Sequence, residues 1–361
     1  MNEFDDLFEK KPEKEQQYNE NNDIENFYRQ AGNQRKNGLL LTIYVLVSLV
    51  FSFASGVIFN LQYPDSDSIL ANIVVISDPV IEVNDNSDEE YPYIISMTGT
   101  LQNNTEYDLP NMWVDFEFFD EDEVSYGVYT ISEEGVLIGD PFTLNESIET
   151  DFNPDTYTVT YGFDASANFY TALSLIPVMI SAALFLLIDK ESFKSDLSKF
   201  KLDIRKHVGQ IFSGFFMVYA ALLVSNLLLT LLGETGTSQN EMAIQNLFSD
   251  DPIQLVMLFL LLCVFTPVVE EVIFRKVIYN FFEPKTSHVV AIIATGVIFG
   301  LMHVIAYGDF IQSIPYIMMG MTFGYIYYRS NKNIFVTIGV HFANNLLSFV
   351  LYILMVYGIY I

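Results

Sequence analysis

The sequence predicts a polytopic α-helical membrane protein with an extracytoplasmic antiparallel β-sandwich inserted between its first two helices. Long apolar runs and one long acidic segment occupy separate parts of the 361-residue chain, and these two features predict the class. A bilayer core of about 30 Å requires about 20 apolar residues in a helix. Seven runs approach or exceed this length: residues 38–61, 169–188, 211–233, 252–269, 288–307, 310–328 and 333–361.

The amino-terminal residues 1–37 are acidic and rich in Glu, Asn and Gln, so we predict a disordered or weakly helical cytoplasmic tail. The first apolar run, residues 38–61, continues past the small residues of a possible cleavage site, which indicates an uncleaved transmembrane anchor. Basic residues concentrate before the first run and between the second and third runs. This pattern predicts a multi-pass protein of the cell membrane with a cytoplasmic amino terminus.

Residues 62–167 form the acidic segment, which contains 24 Asp and Glu residues and no Lys or Arg. Apolar and polar residues alternate within it, as at Val114, Phe116 and Phe118, and this period is typical of half-buried strands. We therefore predict an extracytoplasmic sandwich of immunoglobulin-like size. Its surface is a candidate binding site for an unidentified extracellular partner.

Residues 168–361 form the predicted membrane domain, which lies among membrane lipids. The last run, residues 333–361, has 29 residues, long for one span and short for two. It is predicted to be one long or interrupted helix. The chain as a whole is predicted to have seven or eight transmembrane helices.

Composition excludes two classes of protein. A formal charge of −28 leaves little basic surface for phosphate groups, so no nucleic-acid partner is expected. The one cysteine, Cys263, cannot form an internal disulfide or a cysteine-based zinc site.

Ionisable residues interrupt the apolar runs of the last third of the chain. Charged side chains in hydrocarbon are costly, so they usually face a cavity or a partner and indicate a functional site. Glu271 and Arg275 are four residues apart and can form an ion pair on one helix face. Glu270 is rotated by about 100° on that helix and stays free to face a cavity.

Four polar side chains that lie far apart in the sequence can meet if successive helices alternate in direction. Helix geometry then brings four side chains to within about 10 Å of one depth: Glu270, His303, His341 and Asn345. A carboxylate, two imidazoles and an amide suit hydrolysis of an amide bond. Glu270, His303 and His341 are also reasonable ligands for a divalent metal such as zinc, and spacing leaves both mechanisms open.

Three motifs on successive apolar runs resemble those of the CPBP family, the CAAX prenyl proteases and bacteriocin-processing proteins also called Abi. They are Glu270-Glu271-x-x-x-Arg275, Phe299-x-x-x-His303 and His341-x-x-x-Asn345. The resemblance covers roughly residues 211–361, the expected protease core. It implies an intramembrane endopeptidase in which Glu270 activates water, His303 and His341 assist, and Asn345 stabilises the oxyanion. Three residues would support them: Glu271, Arg275 and Phe299.

The resemblance leaves metal-dependent and metal-free catalysis open. It implies a membrane-associated peptide or protein substrate and, in a bacterium, peptide processing or bacteriocin self-immunity. Intramembrane Glu and His residues also relay protons, so a proton-coupled transporter is an alternative. Another alternative is a non-catalytic membrane sensor that uses the outer sandwich.

Overall fold

The computed structural model describes residues 13–62, 66–86, 91–234 and 236–359. Its helices are α1 (Glu13–Gln62), α2 (Ser66–Ala71), α3 (Ala167–Ile188), α4 (Lys190–Leu202), α5 (Ile204–Leu231), α6 (Gln239–Gln245), α7 (Pro252–Lys285), α8 (His288–Val304), α9 (Ser313–Arg329) and α10 (Ile334–Val356). Its strands are β1 (Ile73–Asp85), β2 (Tyr93–Asn103), β3 (Leu109–Phe119), β4 (Ser125–Val136), β5 (Pro141–Thr150) and β6 (Thr156–Asp164).

The predicted apolar runs coincide with helices α1, α3, α5, α7, α8, α9 and α10. Within the described residues, five helices are long and apolar enough to cross a membrane: α1, α3, α5, α7 and α10. Helices α8 and α9 have 17 residues each. A membrane location is therefore supported, and the total of seven or eight spans stays a prediction. The described part of the last run forms one helix, α10, rather than two.

The sequence predicts a disordered or weakly helical tail for residues 1–37, and the described part of this segment is helical rather than disordered. Residues 13–37 are the first part of helix α1, and residues 1–12 lie outside the described residues. Residues 13–37 contain no proline, and their many Glu, Gln and Lys residues are good helix formers. Because extending an existing helix costs far less than starting one, the apolar run propagates its helix into this polar segment.

The chain divides into two compact units. One contains the chain up to Val50 together with everything from Ser174 onward, and the other runs from Phe51 to Leu173. The second unit is therefore wider than the predicted module of residues 62–167. Phe59 gives one reason, because its ring stacks on Phe163 of β6 with centroids 6.1 Å apart.

The second unit confirms the predicted antiparallel sheets. Strands β1, β2 and β5 form one sheet in the order β1-β2-β5, and strands β3, β4 and β6 form the other in the order β4-β3-β6. Val114, Phe116 and Phe118 point into the core, while the residues between them are only partly buried. The observed alternation is the pattern that the sequence predicts for half-buried strands.

Helix α7 is not a regular α-helix. Residues Phe259–Phe265 and Val272–Tyr279 are π-helical, and the α-helical turn Thr266–Glu271 lies between them. Pro267 lies at this junction, where a ring without an N–H interrupts the regular hydrogen bonds. Such widened turns are frequent at functional sites, and these two flank the α-helical turn that carries Glu270 and Glu271.

Helices α8 and α9 pack with their backbones close together. A Cβ atom at Gly296 would lie 2.8 Å from the backbone nitrogen of Met321, and one at Gly300 would lie 2.7 Å from that of Ile317. Only glycine permits this approach without a shift of the backbone. The close packing places the part of α8 that carries Phe299 and His303 against the start of α9.

Candidate active site

A cavity of about 330 Å³ lies among the helices of the first unit. Helices α1, α6, α7, α8, α9 and α10 all contribute to its wall. Each side chain that the sequence selects for the chemistry lines this one cavity: Glu270, His303, His341 and Asn345. The structure thus brings together residues that are up to 75 positions apart in the chain.

The two adjacent glutamates of α7 lie in different environments. Glu271 is fully buried and forms an ion pair with Arg275, with 3.0 Å between Glu271 Oε2 and Arg275 Nε. This pair confirms the one predicted from helical spacing. The Glu270 side chain remains about a fifth exposed and faces the cavity, where its Oε2 lies 3.7 Å from Nε2 of His341.

Arg275 is enclosed by aromatic rings as well as by its glutamate partner. Its guanidinium carbon lies 5.6–5.8 Å from the ring centroids of Phe274, Phe299 and Phe323. Within the described part of the chain its Nη atoms have no hydrogen-bond partner. The Glu271 carboxylate and the three ring faces therefore compensate the buried positive charge.

His341 is held in a defined orientation. Its Nδ1 lies 3.0 Å from Glu271 Oε1, and its ring stacks on Phe323 with centroids 4.7 Å apart. Because a carboxylate paired with arginine accepts hydrogen bonds, Nδ1 is assigned as a nitrogen that carries a hydrogen. In the tautomer with its hydrogen on Nδ1, Nε2 is a hydrogen-bond acceptor on the side of Glu270.

His303 is oriented by the same principle. Its Nδ1 lies 2.7 Å from the carbonyl oxygen of Phe299, which can only accept, so Nδ1 carries the hydrogen. The ring also stacks on Tyr316, with centroids 4.6 Å apart and an interplanar angle of 16°. Phe299 lies between the two histidines, with centroid distances of 4.5 Å to His303 and 6.3 Å to His341.

Asn345 is fixed by bonds from both ends of its amide. Its Nδ2 donates to the carbonyl oxygen of Leu262 at 2.9 Å, and its Oδ1 accepts from Asn344 Nδ2 at 3.2 Å. The Thr266 N–H donates to the carbonyl oxygen of Leu261, five residues earlier. With the same five-residue spacing the Leu262 carbonyl would accept from residue 267, but Pro267 has no N–H to donate. The proline thereby frees a carbonyl that positions Asn345, whose second N–H remains available.

Several residues of the cavity wall escape motif-based reasoning. Tyr44 comes from α1, Glu241 from α6, and Tyr316 from α9, all outside the three motifs. Burial raises the pKa of the Glu241 carboxyl above its usual value. A carboxylate in an uncharged polar segment is the one sequence signal that singles out Glu241. No signal in the sequence singles out Tyr44 or Tyr316.

The fit of a metal ion can be tested on the donor atoms. Within the described residues, no group of three His, Cys, Asp or Glu side chains is arranged to hold a metal ion. The Nδ1 atoms of His303 and His341 are already bonded, to a carbonyl and to Glu271. These bonds leave the Nε2 atoms of both histidines available, which is also the usual arrangement of metal-binding histidines. Among the described residues Glu270, His303 and His341 are not gathered closely enough to form a metal site, and zinc stays an untested alternative.

The fold and cavity define a helical membrane-type domain with a polar site inside its bundle. Residues 252–347 match the family model described as type II CAAX prenyl endopeptidase Rce1-like. This match agrees with the resemblance to the CPBP family that the three motifs carry, since all three lie within the matched segment.

One curated relative, from Bacillus subtilis (strain 168), is named "Putative membrane peptidase YdiL". It is 29% identical over 134 residues, which are 37% of this chain and 51% of the relative. The chain therefore spans about half the length of that relative. No solved structure matches.

Proposed function

We propose that this protein is an intramembrane endopeptidase of the CAAX-protease type, which hydrolyses a peptide bond in a membrane-associated peptide or protein. The observation that carries the proposal is the convergence of Glu270, His303, His341 and Asn345 in one cavity. The family match over residues 252–347 and the name of the Bacillus subtilis relative support it.

In the proposed reaction, Glu270 and His341 position the attacking water. Their facing atoms are 3.7 Å apart, too far for a direct hydrogen bond but suited to two bonds to a shared water. Both atoms accept, so the water directs its two hydrogens toward them and a lone pair toward the substrate carbonyl. Glu271 contributes by holding the protonated Nδ1 of His341.

Bond making and bond breaking then follow. Glu270 takes one water proton as the oxygen adds to the carbonyl carbon. The second N–H of Asn345 donates to the resulting oxyanion. The tetrahedral intermediate loses its C–N bond when the proton held by Glu270 passes to the leaving nitrogen, either directly or by way of Nε2 of His303. The products are a carboxylic acid and an amine, and Glu270 is again ionised.

Glu270→Gln tests the proposal in purified full-length protein reconstituted in liposomes. The probe is a library of quenched fluorescent peptides, and mass spectrometry identifies the cleaved bond. Wild-type protein should cleave, and loss of a general base should lower the rate by about 100-fold or more. Glu283→Gln is the matched control on the same helix, because Glu283 pairs with Lys332 away from the cavity and its loss should leave cleavage intact. Equal rates for wild type and Glu270→Gln would reject the assigned role.

The proposed topology places the amino terminus in the cytoplasm and the β-sandwich outside. The distribution of basic residues in short connections supports this orientation. A cysteine introduced into the sandwich, in a background with Cys263→Ala, should react with an impermeant maleimide on intact cells. A cysteine in the connection that begins α4 should react only after permeabilisation. The reverse pattern would overturn the orientation.

Peptide processing or bacteriocin self-immunity is the proposed role in a bacterial cell, and the sandwich is proposed to bind an extracellular partner. The family resemblance supports the first part. Deleting the gene should cause loss of a processed peptide or sensitivity to a bacteriocin, and Glu270→Gln should reproduce that phenotype. Complementation by Glu270→Gln would separate the role from proteolysis.

A further inference from the structure

A second cavity of about 590 Å³ adjoins the candidate active site. The two cavities share part of their walls, formed by Glu241, Tyr316, Met319, Asn344, Ser348 and Tyr352. A peptide whose scissile bond lies at Glu270 therefore has space to continue past this shared wall. The second cavity is also the more polar in composition, with Asn226, Thr230, Thr237, Gln245 and Gln312 in its lining.

Helix α6, which carries Glu241, is tied to the catalytic helices. Ser238 caps the helix by accepting from the Glu241 N–H at 3.2 Å, and its hydroxyl also lies 2.8 Å from the Tyr316 hydroxyl. Asn240 Nδ2 donates to the same Tyr316 oxygen at 3.2 Å. Because the Tyr316 ring stacks on His303, these bonds fix α6 and its carboxylate relative to the candidate active site.

Acidic side chains line both cavities. Glu234 and Glu241 line the second cavity, Glu241 and Glu270 line the first, and no Lys or Arg among the described residues lines either. Within residues 13–62, 66–86, 91–234 and 236–359, the Glu241 carboxylate makes no ion pair, and burial is the one cause that raises its pKa. The bond that caps α6 uses the Glu241 backbone and leaves this carboxylate unengaged.

We propose that Glu241 is a specificity-determining residue, which selects peptide substrates with a Lys or Arg side chain a few residues from the scissile bond. The inference rests on the proposed function, because it names the substrate class of the same site. A basic side chain in the shared wall would neutralise a partly buried carboxylate for which the described part of the chain provides no ion-pair partner. An acidic side chain there would face Glu241, Glu234 and Glu270 without any compensating cation.

The preference can be measured with quenched fluorescent peptides that carry Lys, norleucine or Glu in turn at each of four positions on either side of one scissile bond. Wild-type full-length protein in liposomes should cleave one Lys peptide about 10- to 100-fold faster than its norleucine analogue, the range of a hydrogen-bonded charge pair. Glu241→Gln should abolish that ratio, so that the Lys peptide is cleaved no faster than its norleucine analogue. Glu241→Lys should favour the Glu peptide at the same position.

Glu191→Gln is the matched control, because this acid is exposed on α4 and, among the described residues, forms its ion pair with neighbouring Lys194. It should keep the wild-type ratio. Thermal unfolding of each variant checks the fold, and Glu241→Gln decides the question if Glu241→Lys does not fold.

A binding measurement keeps the inference separate from catalysis. Dye-labelled Lys and norleucine peptides are titrated onto Glu270→Gln protein, and the Lys peptide should bind about 10-fold more tightly. Substituting Glu241 in this background should remove the difference. Cleavage by wild type with no charge preference overturns the role of Glu241 and leaves the proposed function standing. Charge-dependent binding without any cleavage by wild type overturns the proposed function instead.

Discussion

Removing the positive charge of Arg275 is expected to destabilise the protein strongly. Arg275 and Glu271 are both 0% exposed, and 3.0 Å separates their paired atoms. Arg275→Met keeps most of the side-chain volume but leaves the Glu271 carboxylate buried opposite a neutral thioether. Breaking a buried pair in this way costs about 3–5 kcal/mol of unfolding free energy. Loss of the contacts with the rings of Phe274, Phe299 and Phe323 adds to the same effect.

A double-mutant cycle isolates this pair. Unfolding free energies are measured in detergent for wild type, Glu271→Gln, Arg275→Met and the double variant. Because the double variant buries no unpaired charge, it should be more stable than the sum of the single effects predicts, by about 2 kcal/mol or more. Lys332→Met is the control, since its pair with Glu283 is partly exposed and should contribute about 1 kcal/mol or less.

Two results would refute the reasoning. An Arg275→Met protein within about 1 kcal/mol of wild type would show that the buried carboxylate finds another partner or a proton. Strict additivity of the two single substitutions would show that the 3.0 Å contact carries no coupling energy.

Three further predictions follow from other contacts. Lys276→Met should cost about 3 kcal/mol, because buried Lys276 bridges Asp189 and Asp196 at 3.3 and 3.2 Å, and an unchanged melting temperature would contradict this. Burial raises the pKa of the Glu241 carboxyl, so the folded state binds its proton more tightly than the unfolded state does. As the pH rises above 4.5, the unfolding free energy of wild type should therefore fall relative to that of Glu241→Gln. A difference between the two proteins that stays constant with pH would contradict this prediction. Chelator treatment should leave cleavage unchanged. If wild-type protein instead contains one zinc ion per molecule and Glu270→Gln contains none, the metal-dependent mechanism is supported.

Periodicity and spacing predict much of this site. The two-residue alternation in β3 and the apolar runs depend on local sequence, and local geometry links Glu271 to Arg275. Depth along antiparallel helices predicts which polar groups can meet, and all four line one cavity. These predictions succeed because a residue's position on its own helix decides them.

The remaining features depend on contacts between distant segments. Tyr44 reaches the cavity from α1, which the sequence suggests is only an anchor. Tyr316 acts on His303 through stacking, and no spacing rule connects α8 to α9. Residues 13–37 read as a tail by composition, yet an adjoining helix extends into them. Regular helical geometry also fails to predict the π-helical turns on both sides of Thr266–Glu271.

The rotation of about 100° between neighbouring residues of a helix explains how adjacent glutamates can have opposite properties. Glu271 is fully buried in contact with a cation and an imidazole, so its carboxylate is unavailable to substrate. Glu270 keeps its carboxylate in the cavity, within 3.7 Å of the one nitrogen of His341 that Glu271 leaves unbonded. One imidazole thus connects the buried charge to the reactive one. Any change at Glu271 should therefore alter both the stability of the bundle and the orientation of His341, whereas a change at Glu270 should alter the chemistry alone.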